Sequence, residues 1–143
     1  MQKMNWSRIL LGGAVAGLIM NIGEAALHAG IIGEDSARLY TSFNLAAPDP
    51  VANVPALIGM TFLLGIAAVW LYAAIRPRYG AGPRTAVIAG LAVWLFAHLW
   101  SGVYLAHGYA GIFTARLAWL PVLWGLVEAP LATLAGAALY KET

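Results

Sequence analysis

The stretch VANVPALIGMTFLLGIAAVWLYAAI, residues 51–75, decides the fold, because it runs for 25 residues without a charged side chain. A bilayer core about 30 Å thick requires roughly 20 consecutive, mainly apolar residues in a helix. Asp49 and Pro50 in front of the stretch are typical of a helix start, a capping side chain followed by a proline. The stretch therefore predicts a transmembrane helix over about residues 51–76.

Three more apolar stretches of similar length lie on either side of this one. Together they predict transmembrane helices at about residues 8–33, 51–76, 84–107 and 115–141, with an external loop at 34–50. Only 10% of the residues are charged and 62% are hydrophobic, whereas a soluble domain is about one quarter charged. We predict an all-α, polytopic membrane protein, an antiparallel four-helix transmembrane bundle that forms a single domain over residues 1–143.

Basic residues are distributed unevenly between the two ends of the predicted bundle. Two lie on the side of the 34–50 loop, Arg38 and Arg116, and six lie on the opposite side: Lys3, Arg8, Arg76, Arg78, Arg84 and Lys141. Cytoplasmic loops retain Lys and Arg, so we predict that both termini are cytoplasmic, in the inner membrane of a bacterium. The net charge of +2 is too small to indicate a nucleic-acid partner, and the absence of cysteine excludes disulfides and thiolate chemistry.

Two connecting segments have features of their own. The mixed composition of the external segment suits either a short interfacial helix over the mouth of the bundle or a plain connector. The run RPRYGAGPR, residues 76–84, predicts a tight turn between the second and third transmembrane helices.

Glu24, His98 and Glu128 are the ionisable side chains that matter most, because they fall inside three different predicted spans. Each lies 13 to 16 residues from the basic residue at the inner end of its helix, which places all three about 20 to 24 Å from the inner face. An ionised side chain that faces lipid costs several kcal/mol, so the three should converge inside the bundle. They are the predicted catalytic residues.

Other side chains share this depth or these helix faces. Helical spacing of three and four residues places them beside the ionisable groups, and the predicted ligand-binding residues are Asn21, Thr61, Trp94, Ser101 and Trp124. Tryptophans would provide flat apolar walls for a lipid-soluble substrate.

Metal ligation is one use of such a cluster. Glu24, His28, His98 and Glu128 offer the oxygen and nitrogen ligands that Zn, Fe or Mn accept, and four-helix bundles build metal sites from inward Glu and His. The carboxylate-bridged dimetal pattern needs two Glu-x-x-His pairs, which this chain lacks. Haem is a further option, with His28 and either His98 or His107 as axial ligands.

Three functions without a metal stay open. A buried Glu beside a His suits acid/base chemistry on a lipid-soluble substrate. In its outline of four short helices with a Glu on the first, the chain resembles the small multidrug resistance transporters, which implies proton-coupled transport through Glu24; the chain is longer and adds an external loop, which weakens that implication. Alternatively, the polar residues only fix helix register in an accessory subunit of a larger membrane complex or in a homo-oligomer. The leading prediction is a membrane protein that binds a small lipid-soluble ligand, cofactor or metal.

Overall fold

The computed structural model describes residues 4–142, which form five helices and no β-strand. Four helices are long and apolar enough to cross a membrane: α1 (Trp6–Ile31), α3 (Pro50–Tyr79), α4 (Pro83–Gly108) and α5 (Ala115–Ala138). The short helix α2 (Gly33–Ser42) connects α1 to α3. The predicted all-α class and the bundle of four transmembrane helices are confirmed, and the chain is a multi-pass membrane protein.

The turn between α3 and α4 is shorter than the sequence predicted. Helix α3 continues through Pro77 to Tyr79, so the prediction of a turn over residues 76–84 was wrong at both ends. Gly80 and Gly82 have φ angles of 85° and 130°, which glycine adopts without the steric cost of a Cβ. Two such glycines reverse the chain within three residues.

The segment between α1 and α3 contains the short helix α2 and is therefore not a plain connector. Arg116 at the start of α5 makes an ion pair with Asp35 of α2, with 2.8 Å between Nε and Oδ2. The same guanidinium donates to the carbonyl of Ile31 at the end of α1, at 3.1 Å. These contacts anchor α2 at one end of the bundle, called here the α2 end; the opposite end, with Gly80 and Gly82, is the turn end.

Small residues allow the helices to pack closely. Helix α1 lies between α3 and α5, and α4 also contacts both, so the ring order follows the chain. Gly13 and Gly17 of α1 lie against Ile66 and Phe62 of α3, where an added Cβ would collide with the backbone or the ring. Because glycine has no side chain, the helix backbones can approach closely at these positions, which increases van der Waals contact.

The half of α3 nearest the α2 end stands apart from the bundle. Residues 51–60 are all exposed, including Val51 and Leu57, whereas buried residues of α3 begin at Gly65. Pro55 lies in this half and removes one backbone hydrogen bond of the helix. The separation leaves a groove of about 680 Å³ between α1 and α3, and this groove adjoins the predicted site.

A candidate Glu/His metal centre

Glu24 of α1, His98 of α4 and Glu128 of α5 meet inside the bundle. Each offers one ligand-type oxygen or nitrogen atom, and these three atoms lie within 4.8 Å of one another. Glu128 is buried, with 9% of its surface exposed, and the other two are partly buried. The prediction that these residues converge is therefore confirmed, while their catalytic role stays a prediction.

Histidines of this chain lie in π-helical segments. His28 belongs to Ala26–Ile31, His98 to Leu95–Leu99 and His107 to Tyr104–Gly108. A π-helical turn inserts an extra residue into a helix, and such turns are frequent at functional sites. Regular helical spacing assumes about 3.6 residues per turn, so it could not predict these turns.

The π-helical turn at His98 has a consequence for Ser101. The extra residue rotates the helix beyond His98, so a side chain three positions later no longer shares the face of the imidazole. Ser101 is exposed, and its hydroxyl donates to the carbonyl of Ala97 at 2.7 Å. The structure does not bring Ser101 to the cluster.

Both carboxylates are held by a donor four residues away on the same helix. Nδ1 of His28 lies 3.1 Å from Oε2 of Glu24, and Nε1 of Trp124 donates to Oε1 of Glu128 at 3.2 Å. Each carboxylate therefore keeps its other oxygen for a further partner. Outer hydrogen bonds of this kind orient the ligands of metal sites.

Two glycines make room for the cluster. A Cβ on Gly23 would collide with the carboxylate of Glu128, and a Cβ on Gly125 would collide with the imidazole of His98. Both side chains therefore lie directly against the backbone of a neighbouring helix. The position of Gly23 next to Glu24 was the signal in the sequence that could have suggested this packing.

We expect Gly125→Ala to disrupt the cluster. The added methyl group must displace His98, and overpacking of this kind costs about 1 to 3 kcal/mol of unfolding free energy. Gly59→Ala is the matched control, because its Cβ meets no atom within 4 Å and alanine is the better helix former. Thermal unfolding in detergent checks this, and equal stability of the two variants would contradict it.

The remaining predicted ligand-binding residues divide into two groups. Asn21 and Thr61 line the groove beside Glu24. Trp94 instead donates from Nε1 to the carbonyl of Val122 at 2.8 Å, a hydrogen bond that links α4 to α5. Its hydrogen-bonding group is therefore engaged in helix packing.

His28 lies next to the cluster and not within the group of three ligand-type atoms. Its Nδ1 contacts Glu24, and its side chain is 57% exposed. His107 is also exposed, so His98 is the histidine inside the cluster. A haem with two histidine ligands stays a prediction.

The close approach of Glu24 and Glu128 demands a compensating charge or proton. One oxygen of each carboxylate lies within 4.8 Å of the other. Two negative charges at this distance or closer repel by at least about 3 kcal/mol at an effective dielectric constant of about 20. A bound cation or a shared proton removes this repulsion.

Fold and site together define a multi-pass helical membrane protein with a Glu/His cluster inside its bundle. Comparison with known protein families, curated proteins and solved structures gives no match to this chain. The functional argument therefore rests on the chemistry of the cluster and of the groove beside it.

Proposed function

We propose that this protein binds one divalent transition-metal ion inside the membrane through Glu24, His98 and Glu128. The observation that carries the proposal is the placement of three ligand-type atoms from three helices within 4.8 Å. Carboxylate oxygen together with imidazole nitrogen suits Zn²⁺, Mn²⁺ or Fe²⁺. The ligand set has three of the four residues that the sequence predicted.

Charge and hydrogen bonding support a metal at this position. Two carboxylates and one neutral imidazole become electrically neutral with a divalent ion, which suits a site shielded from water. His28 and Trp124 hold the outer oxygens of the two carboxylates. Such partners fix the orientation of metal ligands and strengthen binding.

Three protein ligands leave a coordination position open, as in catalytic zinc sites. A metal ion with an open position supplies Lewis-acid chemistry to an oxygen atom bound there. The groove of about 680 Å³ reaches Glu24 from the side of the bundle. We therefore propose a metal-dependent reaction on a lipid-soluble molecule, and the groove beside Glu24 favours ligand binding over the accessory-subunit alternative.

Metal analysis of the purified protein tests the proposal. The full chain is purified in detergent with an affinity tag that contains no histidine, and is dialysed separately against Zn²⁺, Mn²⁺ and Fe²⁺. We expect about one ion per chain for at least one metal. A metal content at the level of the detergent buffer for all three ions would overturn the proposal.

A shared proton between Glu24 and Glu128 is the second candidate, favoured by the approach of their carboxylate oxygens to within 4.8 Å. This arrangement would serve acid/base catalysis or proton-coupled transport. Infrared spectroscopy distinguishes the two candidates. A carboxylic acid C=O band that is lost in Glu128→Gln and is insensitive to added metal would favour the proton over the metal.

We also propose that the turn end faces the cytoplasm, where Lys and Arg are retained. The chain has no native cysteine, so single cysteines can be introduced at exposed Ala81 and Ala37. In intact cells a membrane-impermeant maleimide should label Ala37→Cys, whereas Ala81→Cys should react only after lysis. The reverse pattern would contradict this orientation.

A further inference from the structure

The groove between α1 and α3 has a polar wall and an apolar wall. Of its twelve lining residues, four have polar side chains: Asn21, Glu24, His28 and Thr61. The apolar wall continues along the separated half of α3 through Val54, Leu57, Ile58 and Met60. Leu57 and Met60 are each 64% exposed, so the groove opens sideways toward the lipid.

Hydrogen bonds already made by Asn21 and Thr61 use up their donors. Nδ2 of Asn21 donates to the carbonyls of Gly17 and Ile58, at 2.8 and 3.5 Å. The hydroxyl of Thr61 donates to the carbonyl of Leu57 at 3.0 Å. What these two side chains still offer to the groove is acceptor oxygen.

The donor at Nδ1 of His28 is used as well. Its Nδ1 lies 3.0 Å from the carbonyl oxygen of Glu24 and 3.1 Å from the carboxylate oxygen of the same residue. Both partners are acceptors, so Nδ1 carries the hydrogen and is not free for a ligand. Three of the four polar side chains of the groove therefore present acceptors, namely Asn21, Thr61 and the Glu24 carboxylate.

We infer that this groove binds a single-chain lipid with a neutral, hydroxyl-bearing head group. A hydroxyl supplies the donor that the acceptor-lined wall lacks, and its oxygen can approach the cluster. The apolar chain lies along Val54, Leu57 and Met60 and leaves the groove toward the bilayer. A volume of about 680 Å³ is within the usual range for a ligand of this size.

The neutrality of the head group is the one element that rests on the proposed metal. A divalent ion together with Glu24, His98 and Glu128 carries no net charge, so a cationic amine gains nothing over an alcohol. Without the ion the two carboxylates would attract an amine instead. Comparison of an alcohol with an amine therefore tests this element separately from the groove itself.

Photoaffinity labelling of the full chain, reconstituted in lipid nanodiscs with metal, tests the inference. The probes are three long-chain molecules with a diazirine in the chain: an alcohol, an amine and a methyl ester, which has no donor. We expect the alcohol to label residues 54–60 at least about tenfold more than the ester does, a difference of about 1.4 kcal/mol. Equal labelling by alcohol and ester would overturn the inference, and preference for the amine would overturn the neutrality of the head group.

Two neighbouring alanines on α1 supply a matched pair of variants. Ala25 lines the groove, whereas Ala26 is also exposed but lies outside its lining. Ala25→Phe should fill the groove and reduce labelling by the alcohol at least tenfold, while Ala26→Phe should leave it unchanged. Undiminished labelling of Ala25→Phe would show that the probe binds elsewhere and would overturn the inference.

Metal content is measured on the same samples, so that failure of the proposed function is distinguishable from failure of this inference. Ala25→Phe is expected to keep the wild-type metal content while it loses labelling. Metal present in the wild type with no alcohol preference overturns the inference alone. Alcohol labelling that depends on Ala25 in a protein without metal would support the groove and overturn the metal centre.

Discussion

Glu128→Gln is expected to lower the affinity for the bound metal by more than about 100-fold. Loss of an outer hydrogen-bonding partner alone typically costs 10 to 100-fold, and this substitution removes both a ligand oxygen and its negative charge. The side chain keeps its size, which matters because Glu128 is buried against Gly23. Competition with a calibrated chelator measures the affinity.

Thermal unfolding gives a second readout of the same substitution. A metal ion at about 100 times its dissociation constant raises the unfolding free energy of a binding protein by about 2.7 kcal/mol. We expect this gain in the wild type and its loss in Glu128→Gln. The metal-free variant should be at least as stable as the metal-free wild type, because the repulsion with Glu24 is gone.

Glu34→Gln is the control for this experiment. Glu34 lies in α2, its side chain is 88% exposed, and its ion pair with Arg38 is on the surface. An exposed pair of this kind contributes roughly 0 to 1 kcal/mol, so affinity for the metal should not change. Equal affinities of Glu128→Gln and Glu34→Gln would exclude Glu128 as a ligand.

Much of the fold was predictable because a membrane imposes strong rules on sequence. The four apolar stretches had to be helices, since a helix satisfies every backbone hydrogen bond internally. Ionisable side chains are costly in lipid, so Glu24, His98 and Glu128 were expected to face the interior of the bundle. Their similar distance from the basic helix ends predicted that they meet. Depth along a helix depends only on residue count, which the sequence supplies directly.

The local helix geometry and the shape of the groove could not be predicted by counting residues. A π-helical turn at Leu95–Leu99 changes which side chains share a face, and so Ser101 was misplaced. The exposure of residues 51–60 of α3 depends on packing along a whole helix, and it leaves a groove open to the side that polar spacing alone did not predict. Its acceptor character follows from the hydrogen bonds of Asn21 and Thr61, which depend on how α1 and α3 pack.

Trp124→Phe is expected to weaken metal binding by about 10 to 100-fold, although Trp124 is not itself a ligand. Its Nε1 donates to Oε1 of Glu128 and so leaves the other carboxylate oxygen directed to the metal. Phenylalanine keeps an aromatic ring but removes the donor. Outer partners of metal ligands have effects of this size, equivalent to about 1.4 to 2.8 kcal/mol.

Trp94→Phe separates this positioning role from a structural one. This substitution also removes an Nε1 hydrogen bond, but one whose acceptor is the backbone carbonyl of Val122 and not a proposed metal ligand. The loss should lower the unfolding free energy by about 1 kcal/mol and leave metal affinity within about twofold of the wild type. Trp124→His should retain more of the affinity than Trp124→Phe does, since the imidazole N–H can donate to Glu128. Equal losses of affinity in the two phenylalanine variants would mean that Trp124 acts through helix packing and not through its hydrogen bond to Glu128.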